Sequence, residues 1–521
     1  MRKGISAVVV LSLMLMLLAA CTSGNNNNNN GGGSSTSQTN DASQTKDNAG
    51  EKPEEIVELS LFINHTWYPM TEWAGRIAEE LTKKTGVKLN VTVAADSEQL
   101  PLMIASGDLP DLVFTGREPR LENPDLAYDW HELIKEYAPD FEIAPNRVAV
   151  NTSPDGAMYT VLNAYTTPEE FAANPYALGN DGNPGIAVRQ DLMDEMGLPP
   201  IKTLDDFVAA LEKAKTTYPD MVPLTMDLDW IPQYFKMQYG IPPHSAWYEA
   251  EDGKLRYDIT NPNMLAFYKF MNSLYRNGYI LAENFTYSND QIDDEYAKTG
   301  KAFAHMHTVS LAERDNAGSD FEFTMIPSAL TDTAYNLGTG TGFSGVYITK
   351  ANKNPEKSIQ FLEYLASKEG KELVMFGIEG EQWNWHPDGY PEFKYDVNDE
   401  KYINSEGLKW WYLYSDGIVE GLRSYVPGTQ TTKALQEIKA ITEQKPAIGM
   451  VKLRDGTQEK VIYDKLEDMV KNEEVRIYLA ETEAAAEKAY QDMLKLANNI
   501  GLADLEKWAA EEYAVQKAKF E

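Results

Sequence analysis

From Val57 onward the chain alternates between two hydrophobic periods, and that alternation limits the fold more than any other feature. Val57, Leu59, Leu61 and Ile63 recur at every second position, the mark of a half-buried strand. Trp73, Ile77 and Leu81 then recur at i, i+4 and i+8 with Ala74 and Ala78 beside them, which is one stripe of a helix ending at Gly86. Val87–Val93 alternates again, Leu100, Met103 and Ile104 mark a second helix, and Leu112-Val113-Phe114 is a short apolar strand. The order β-α-β-α-β calls for a parallel sheet with right-handed crossovers. On such sheets ligands sit just beyond the carboxyl ends of strands. Those ends are Asn64–Met70, Ala94–Ser97 and Thr115–Arg120.

The pattern restarts near Gly185, so the body reads as two α/β lobes. Ile186-Ala187-Val188-Arg189 is strand-like, and Asp191–Met196 is a short helix closed by Gly197. Thr203 caps the next helix with Asp206 three residues on, close to a capping box, and Phe207, Leu211 and Ala214 form its buried stripe. Val222–Met226 is a strand whose carboxyl end opens into Asp227–Tyr234. Further strands are expected at Ala302–Met306, Glu322–Ile326 and Gly345–Thr349. Helices are expected from Asn354, with Pro355 at its first position, and through 475–521.

The amino terminus is an address rather than part of the fold. Arg2 and Lys3 precede an apolar run from Ala7 to Ala20, shorter than the roughly 20 residues that span a bilayer. It ends Leu18-Ala19-Ala20-Cys21, which resembles a bacterial lipobox, where the thiol receives a diacylglycerol and the mature chain is tethered by acyl chains such as palmitate. The other reading is an ordinary signal with a stray cysteine, but Cys21 is the only cysteine in the chain. A run of Asn, Gly and Ser follows to about Gly50 and cannot form a core; such a spacer reaches roughly 30–35 Å. No later segment is apolar for long enough to span a membrane, so the rest is expected outside the cytoplasm.

Composition narrows the partners. The 521 residues carry 47 Lys+Arg against 80 Asp+Glu, a net charge of −33, which argues against nucleic acid and against a polybasic membrane patch. One cysteine excludes an internal disulfide framework and any CxxC site. Gly340-Thr341-Gly342-Phe343-Ser344-Gly345 matches GxGxxG, but a strand-like Val346–Thr349 follows where a dinucleotide site needs a helix, so a bend or hinge is the reading. His305 and His307 share one face of a strand without a third ligand nearby, a weak zinc pattern. No cofactor and no metal are expected.

The tryptophans divide by context. Trp73 and Trp508 lie on helix stripes and read as core. Trp67, Trp230, Trp383 and Trp385 lie in polar, turn-rich stretches, and Trp67 and Trp230 fall at carboxyl ends of strands. A flat ring beside amides, carboxylates and imidazoles is what a sugar requires: its C–H face stacks and its hydroxyls bond at the edge. The competing reading is that these rings plug the surface of each lobe.

Five phrases in order carry a family resemblance: the lipobox with its spacer, Ser106–Val113, Val188–Leu198, Asn352-Lys353-Asn354-Pro355-Glu356 through Leu365, and Phe376–Gly380. Together they resemble the extracellular solute-binding proteins of family 1, the lipoprotein component of carbohydrate ABC importers, in its long Gram-positive branch. The resemblance implies an α/β, two-lobed periplasmic-binding-protein-like fold of type II with a central cleft and hinge. It implies a signal peptide over 1–20 and a lipidated cysteine and tether over 21–55. Lobe 1 would be 56–165 plus 303–337, lobe 2 would be 166–302 plus 338–475, and C-terminal helices would fill 476–521. The chain would cross near Asn163–Thr167, return near Phe303 and cross again near Leu337–Gly342. Ligand contacts carried over from the family are the loop Asn64–Trp67, Gly116 and Arg117 in the loop after Asp111–Thr115, and Trp230 and Tyr234. Asp96, Asp229, His307, Trp383 and Trp385 complete the candidate ligand contacts.

The function expected is therefore binding without catalysis: a carbohydrate, an oligosaccharide for preference, held between the lobes and delivered to ABC permease transmembrane subunits. The protein would be a monomer, anchored by lipid to the outer face of the membrane, with no nucleic-acid partner. An alternative is a lipid-anchored glycoside hydrolase or lyase, which would need a carboxylate pair roughly 5–10 Å apart; Asp96, Asp229 and Glu379 are its candidates. A surface adhesion or sensor protein, or a peptide or other solute as ligand, would use the same fold.

Overall fold

Each lobe is built on a four-stranded sheet. In the computed structural model, residues 56–179, 182–226, 230, 232–286, 293–316, 319–454 and 456–518 are described, all within the unit Glu54–Glu521. The leader, Cys21 and the tether lie outside the described residues, as does Asp229.

The first sheet contains β1 (Val57–Ile63), β2 (Val87–Val93) and β3 (Leu112–Thr115), all parallel as the alternation requires. Gly86 adopts φ 68°, which stops the helix Arg76–Thr85 and lets β2 begin at the next residue. The second sheet holds β4 (Pro184–Arg189), β5 (Val222–Met226), β8 (Ala302–Thr308) and β9 (Phe323–Met325) in the order β5-β8-β4-β9. The capping box on the helix Leu204–Thr217 forms as expected, Thr203 with Asp206. Three ribbons complete the described strands: β6 (Trp247–Glu249) with β7 (Leu255–Tyr257), β10 (Asn336–Gly338) with β14 (Thr442–Gln444), and β12 (Trp383–Trp385) with β13 (Pro391–Phe393).

Strand pairing corrects the division of the chain. The last strand of the first sheet is β11 (Gly345–Ile348), antiparallel to β3, so the residues after Ser344 return to lobe 1. They continue there through Trp411 and Leu422 in one apolar core. β8 pairs with both β4 and β5, and Phe303 is fully buried in the lobe 2 core, so there is no crossing near Phe303. A strand signature carries no information about which sheet it joins; that is decided by pairing, which for β11 and β3 links residues 230 apart. The helices Gln458–Tyr478, Glu483–Ile500 and Leu502–Lys517 are not a separate piece. Leu466, Tyr490 and Leu505 enter the lobe 2 core, and burying each apolar side chain contributes about 2 kcal/mol.

Three crossovers therefore join the lobes: Asn163 to Pro184, Ile326 to Gly345, and Arg423 to Gln430. The first two touch each other, with Phe343 N–H bonding Asn163 O at 3.0 Å and Asn163 N–H bonding Ser344 O at 2.7 Å. The glycines make this approach possible. A Cβ on Gly340, at φ 59°, would collide with Thr166 O, and one on Gly342, at φ 96°, would lie 2.6 Å from Asn163 O. The GxGxxG stretch is thus the bend that its sequence context indicates.

Candidate functional site

The first two crossovers run from one carboxyl-end rim to the other. Gly345 pairs with Thr115, the last residue of β3, so the second crossover enters lobe 1 at that rim. β9 leaves lobe 2 on the side where Pro184 pairs with Thr308, the last residue of β8. The strand ends named from sequence are therefore the ends beside the hinge.

On lobe 1, Asn64 stays registered with the sheet: its N–H bonds Phe114 O at 2.9 Å and its Nδ2 donates to Thr115 Oγ1 at 3.1 Å. The chain then turns, with Tyr68 N–H bonding His65 O at 3.0 Å, and throws Trp67 outward to 55% exposure. The His65 ring stacks on Phe343 at 5.3 Å and 19°, and its Nε2 lies 2.9 Å from Ser344 Oγ. Trp67 stands 5.2 Å from His65, 6.5 Å from Phe343 and 6.4 Å from Trp410. Phe343 is itself 47% exposed. Four rings thus meet at one strand end, and two of them show large apolar faces to solvent, an arrangement that marks binding surfaces. Burial lowers the His65 pKa to about 4, so the ring is neutral near pH 7.

On lobe 2, Trp230 follows the end of β5, and Gln233 N–H bonds its carbonyl at 3.0 Å. His244 meets Trp230 edge to face at 4.5 Å, and His307, near the end of β8, meets it at 5.4 Å. Burial lowers the His244 pKa to about 4. His307 Nδ1 lies 3.2 Å from an Arg314 nitrogen, and Arg314 Nε is 3.1 Å from Asp315 Oδ1. Asn64, Trp67, Trp230 and His307 are thus placed at the rims.

The other candidates are placed elsewhere. Tyr234 is fully buried, its hydroxyl donating to Pro327 O at 2.5 Å, so it is core rather than contact. Trp383 is 1% exposed and donates Nε1–H to Gly377 O at 2.9 Å, anchoring β12 in lobe 1. Trp385 lies on the same hairpin, 5.3 Å from Trp383 and beneath Lys368 at 5.7 Å, away from the strand ends. Arg117 pairs with Glu122 at 2.6 Å and braces Val150 O and Ser153. Asp96 closes a turn by accepting from Glu98 N–H at 2.9 Å. Glu379 lies in an isolated backbone bridge with Trp383, beside the β12 strand. Among the described residues no group of three His, Cys, Asp or Glu side chains is placed to hold a metal ion. Among them, too, no helix is long and apolar enough to cross a membrane.

Sequence reasoning reached His65 only as part of the Asn64–Trp67 loop, and missed Phe343, Trp410 and His244. Phe343 lay inside the glycine motif, where an apolar ring flanked by turn residues was itself a signal. Trp410 sits beside Trp411, and only the fold separates the partly exposed ring from the fully buried one.

This architecture, two α/β lobes joined by crossovers beside their strand ends, is that of two-lobed solute-binding proteins. The profile of bacterial extracellular solute-binding proteins matches residues 76–376, more than half of the chain, and the protein belongs to that family. Among curated proteins it is similar to lipoprotein LipO of Bacillus subtilis, 24% identical over 393 residues, spanning 66% of this chain and 74% of LipO. It is also similar to the fructooligosaccharide ABC transporter substrate-binding protein FusA of Streptococcus pneumoniae, 25% identical over 313 residues, spanning 55% of this chain and 56% of FusA. Among solved structures, FusA in complex with kestose superimposes with a TM-score of 0.66 at 15% identity, covering 89% of this chain and all of FusA's. The alginate-binding protein AlgQ2 without calcium superimposes with a TM-score of 0.65 at 18% identity, covering 88% and 98%. At these identities the likeness establishes the two-lobed α/β fold.

Proposed function

We propose that this protein is the substrate-binding component of an ABC importer and takes a neutral oligosaccharide between the two aromatic rims. The observation that carries this reading is the exposed cluster of Trp67, Phe343 and Trp410 around His65, at a strand end beside the crossovers. Stacking of sugar C–H faces on such rings, with Asn64 and Ser344 at the edge, gives orientation as well as affinity. Trp230 supplies the second lobe's ring. Closure brings both lobes onto the ligand, so ligand stabilises the closed form because only there do both touch it. Relatives point the same way: FusA is named for fructooligosaccharide and its structure holds kestose.

Two of the cations are already committed to carboxylates, which favours a neutral ligand, although Lys409 over the Trp410 ring and Arg314 beside His307 stand at the rims. Arg117 is held by Glu122 and Arg189 by Asp191 at 2.6 Å, so neither is poised for a uronate. Cys21 would carry the lipid and hold the protein outside the membrane. Its partners would be permease transmembrane subunits, which receive the closed form from a monomer, and no nucleic acid would be among them.

Tryptophan fluorescence of protein lacking residues 1–50 tests this, titrated with neutral fructo-, gluco- and manno-oligosaccharides, with mass spectrometry of the recovered sugar. A saturable change with the sugar intact is expected. A shortened sugar would favour the hydrolase alternative, and silence across the panel would overturn the carbohydrate reading.

A further inference from the structure

The first crossover is gripped at two points by charged side chains from opposite lobes. Glu420, in the lobe 1 helix Gly417–Arg423, is buried, and its Oε1 accepts from Ala164 N–H at 3.0 Å and from the Ser415 hydroxyl. Ala164 is held there at φ 55°, a left-handed conformation that a Cβ disfavours. Gly417 N–H bonds Tyr165 O at 2.7 Å, so the grip of lobe 1 extends one residue further. Arg147 donates to Leu162 O and Ser415 O, each at 2.6 Å, and ties the same loop from behind.

From lobe 2, Lys439 in the helix Gln430–Ile441 places its ammonium among three backbone carbonyls: Phe171 at 2.7 Å, Asn174 at 2.6 Å and Ala177 at 2.8 Å. Thr167 is already part of the helix that follows, in a capping box with Glu170. Gly340 on the second crossover lets the Thr166 carbonyl approach.

We propose that Glu420 is the positioning residue of the hinge: it pins the left-handed turn at Ala164 to lobe 1, and gain of a proton by Glu420 loosens the pin, while Lys439 ties Phe171 and Asn174 to lobe 2 ahead of Tyr176 and Ala177, which pack back on lobe 1. An ionised carboxylate is the stronger acceptor for Ala164 N–H. Burial raises the Glu420 pKa to about 7, so the switch falls within the ordinary external pH range. The charged groups around Glu420 are Asp416 on its own helix, itself bound by Lys371 at 2.5 Å, and Arg147 from the helix Pro145–Asn151. This inference rests on the two-lobed fold and not on the identity of the ligand.

Amide hydrogen exchange of the ligand-free protein, corrected for the intrinsic pH dependence, tests it. Protection of Ala164 N–H is expected to rise about fivefold between pH 5.5 and 8.5, the effect of strengthening one hydrogen bond by charge. Glu420→Gln is expected to hold protection at the low-pH level throughout. Lys439→Met is expected to release the amides of Phe171 and Asn174 while leaving Ala164 protected. Protection of Ala164 that ignores pH in the unmodified protein would overturn the proposal, whether or not the Gln variant folds. Joint release of Ala164 and Phe171 in Lys439→Met would overturn it as well.

Discussion

The imidazole of His65 lies face to face with the ring of Phe343, 5.3 Å between centroids and 19° from parallel. One residue follows β1 and the other precedes β11, so the contact joins the first strand of lobe 1 to the second crossover. A ring system anchored in this way presents Trp67 without depending on it, which separates binding from folding.

Trp67→Ala is accordingly expected to weaken oligosaccharide binding at least tenfold, about 1.4 kcal/mol, as loss of a central aromatic contact does. Because Trp67 is 55% exposed, the melting temperature is expected to change little. Calorimetric titration alongside thermal unfolding checks both.

Trp383→Ala is expected to do the reverse. The ring is 1% exposed and its Nε1–H is satisfied by Gly377 O, so truncation opens a cavity and is expected to cost about 3–5 kcal/mol. Denaturant unfolding is expected to show that loss, while protein that remains folded keeps its sugar affinity.

Stability carries a pH signature of Glu420. Burial raises its carboxyl pKa to about 7 in the folded protein from the 4.5 of an exposed glutamate, so the native state binds more protons between those values. Unfolding free energy from this group is therefore fully present below about pH 4.5 and is lost as pH rises through 7, by about 3 kcal/mol. Glu420→Gln removes that loss. Relative to the unmodified protein it is expected to gain stability between pH 5 and pH 8 in paired urea titrations.

Binding is expected to ignore salt. With Arg117 and Arg189 held in ion pairs, affinity for a neutral sugar is expected to stay within about twofold from 0.05 to 0.5 M salt, where a charged ligand would show screening. Arg117→Met is expected to destabilise lobe 1 by leaving Glu122 unpaired and to leave affinity unchanged.

Much of this was legible in the chain. Alternation located β1 and β2, short strand-like runs located β3 to β5 and β8, and Gly86 and the Thr203–Asp206 pair marked helix ends, because those features depend on neighbours a few residues away. Sheet membership was not legible, since β11 finds β3 only through tertiary pairing. The tryptophans show the same limit: Trp67 and Trp383 both sit among polar turn residues, yet only the β12–β13 hairpin delivers Trp383 Nε1–H to Gly377 O and buries the ring. Tyr234 lay close behind a strand end, but a short helix turned it inward to Pro327. Strand ends proved reliable guides to the rims, whereas individual side chains there depended on contacts from distant segments such as Phe343 and His244.

The central claim is that one ligand touches both rims. Isothermal titration of the unmodified protein, Trp67→Ala and Trp230→Ala with the oligosaccharide of strongest fluorescence response tests it most directly. One-to-one binding is expected, weakened at least tenfold by each substitution although the two lie in different lobes. Unchanged affinity in either variant, with its fold intact, would contradict a site shared between the lobes.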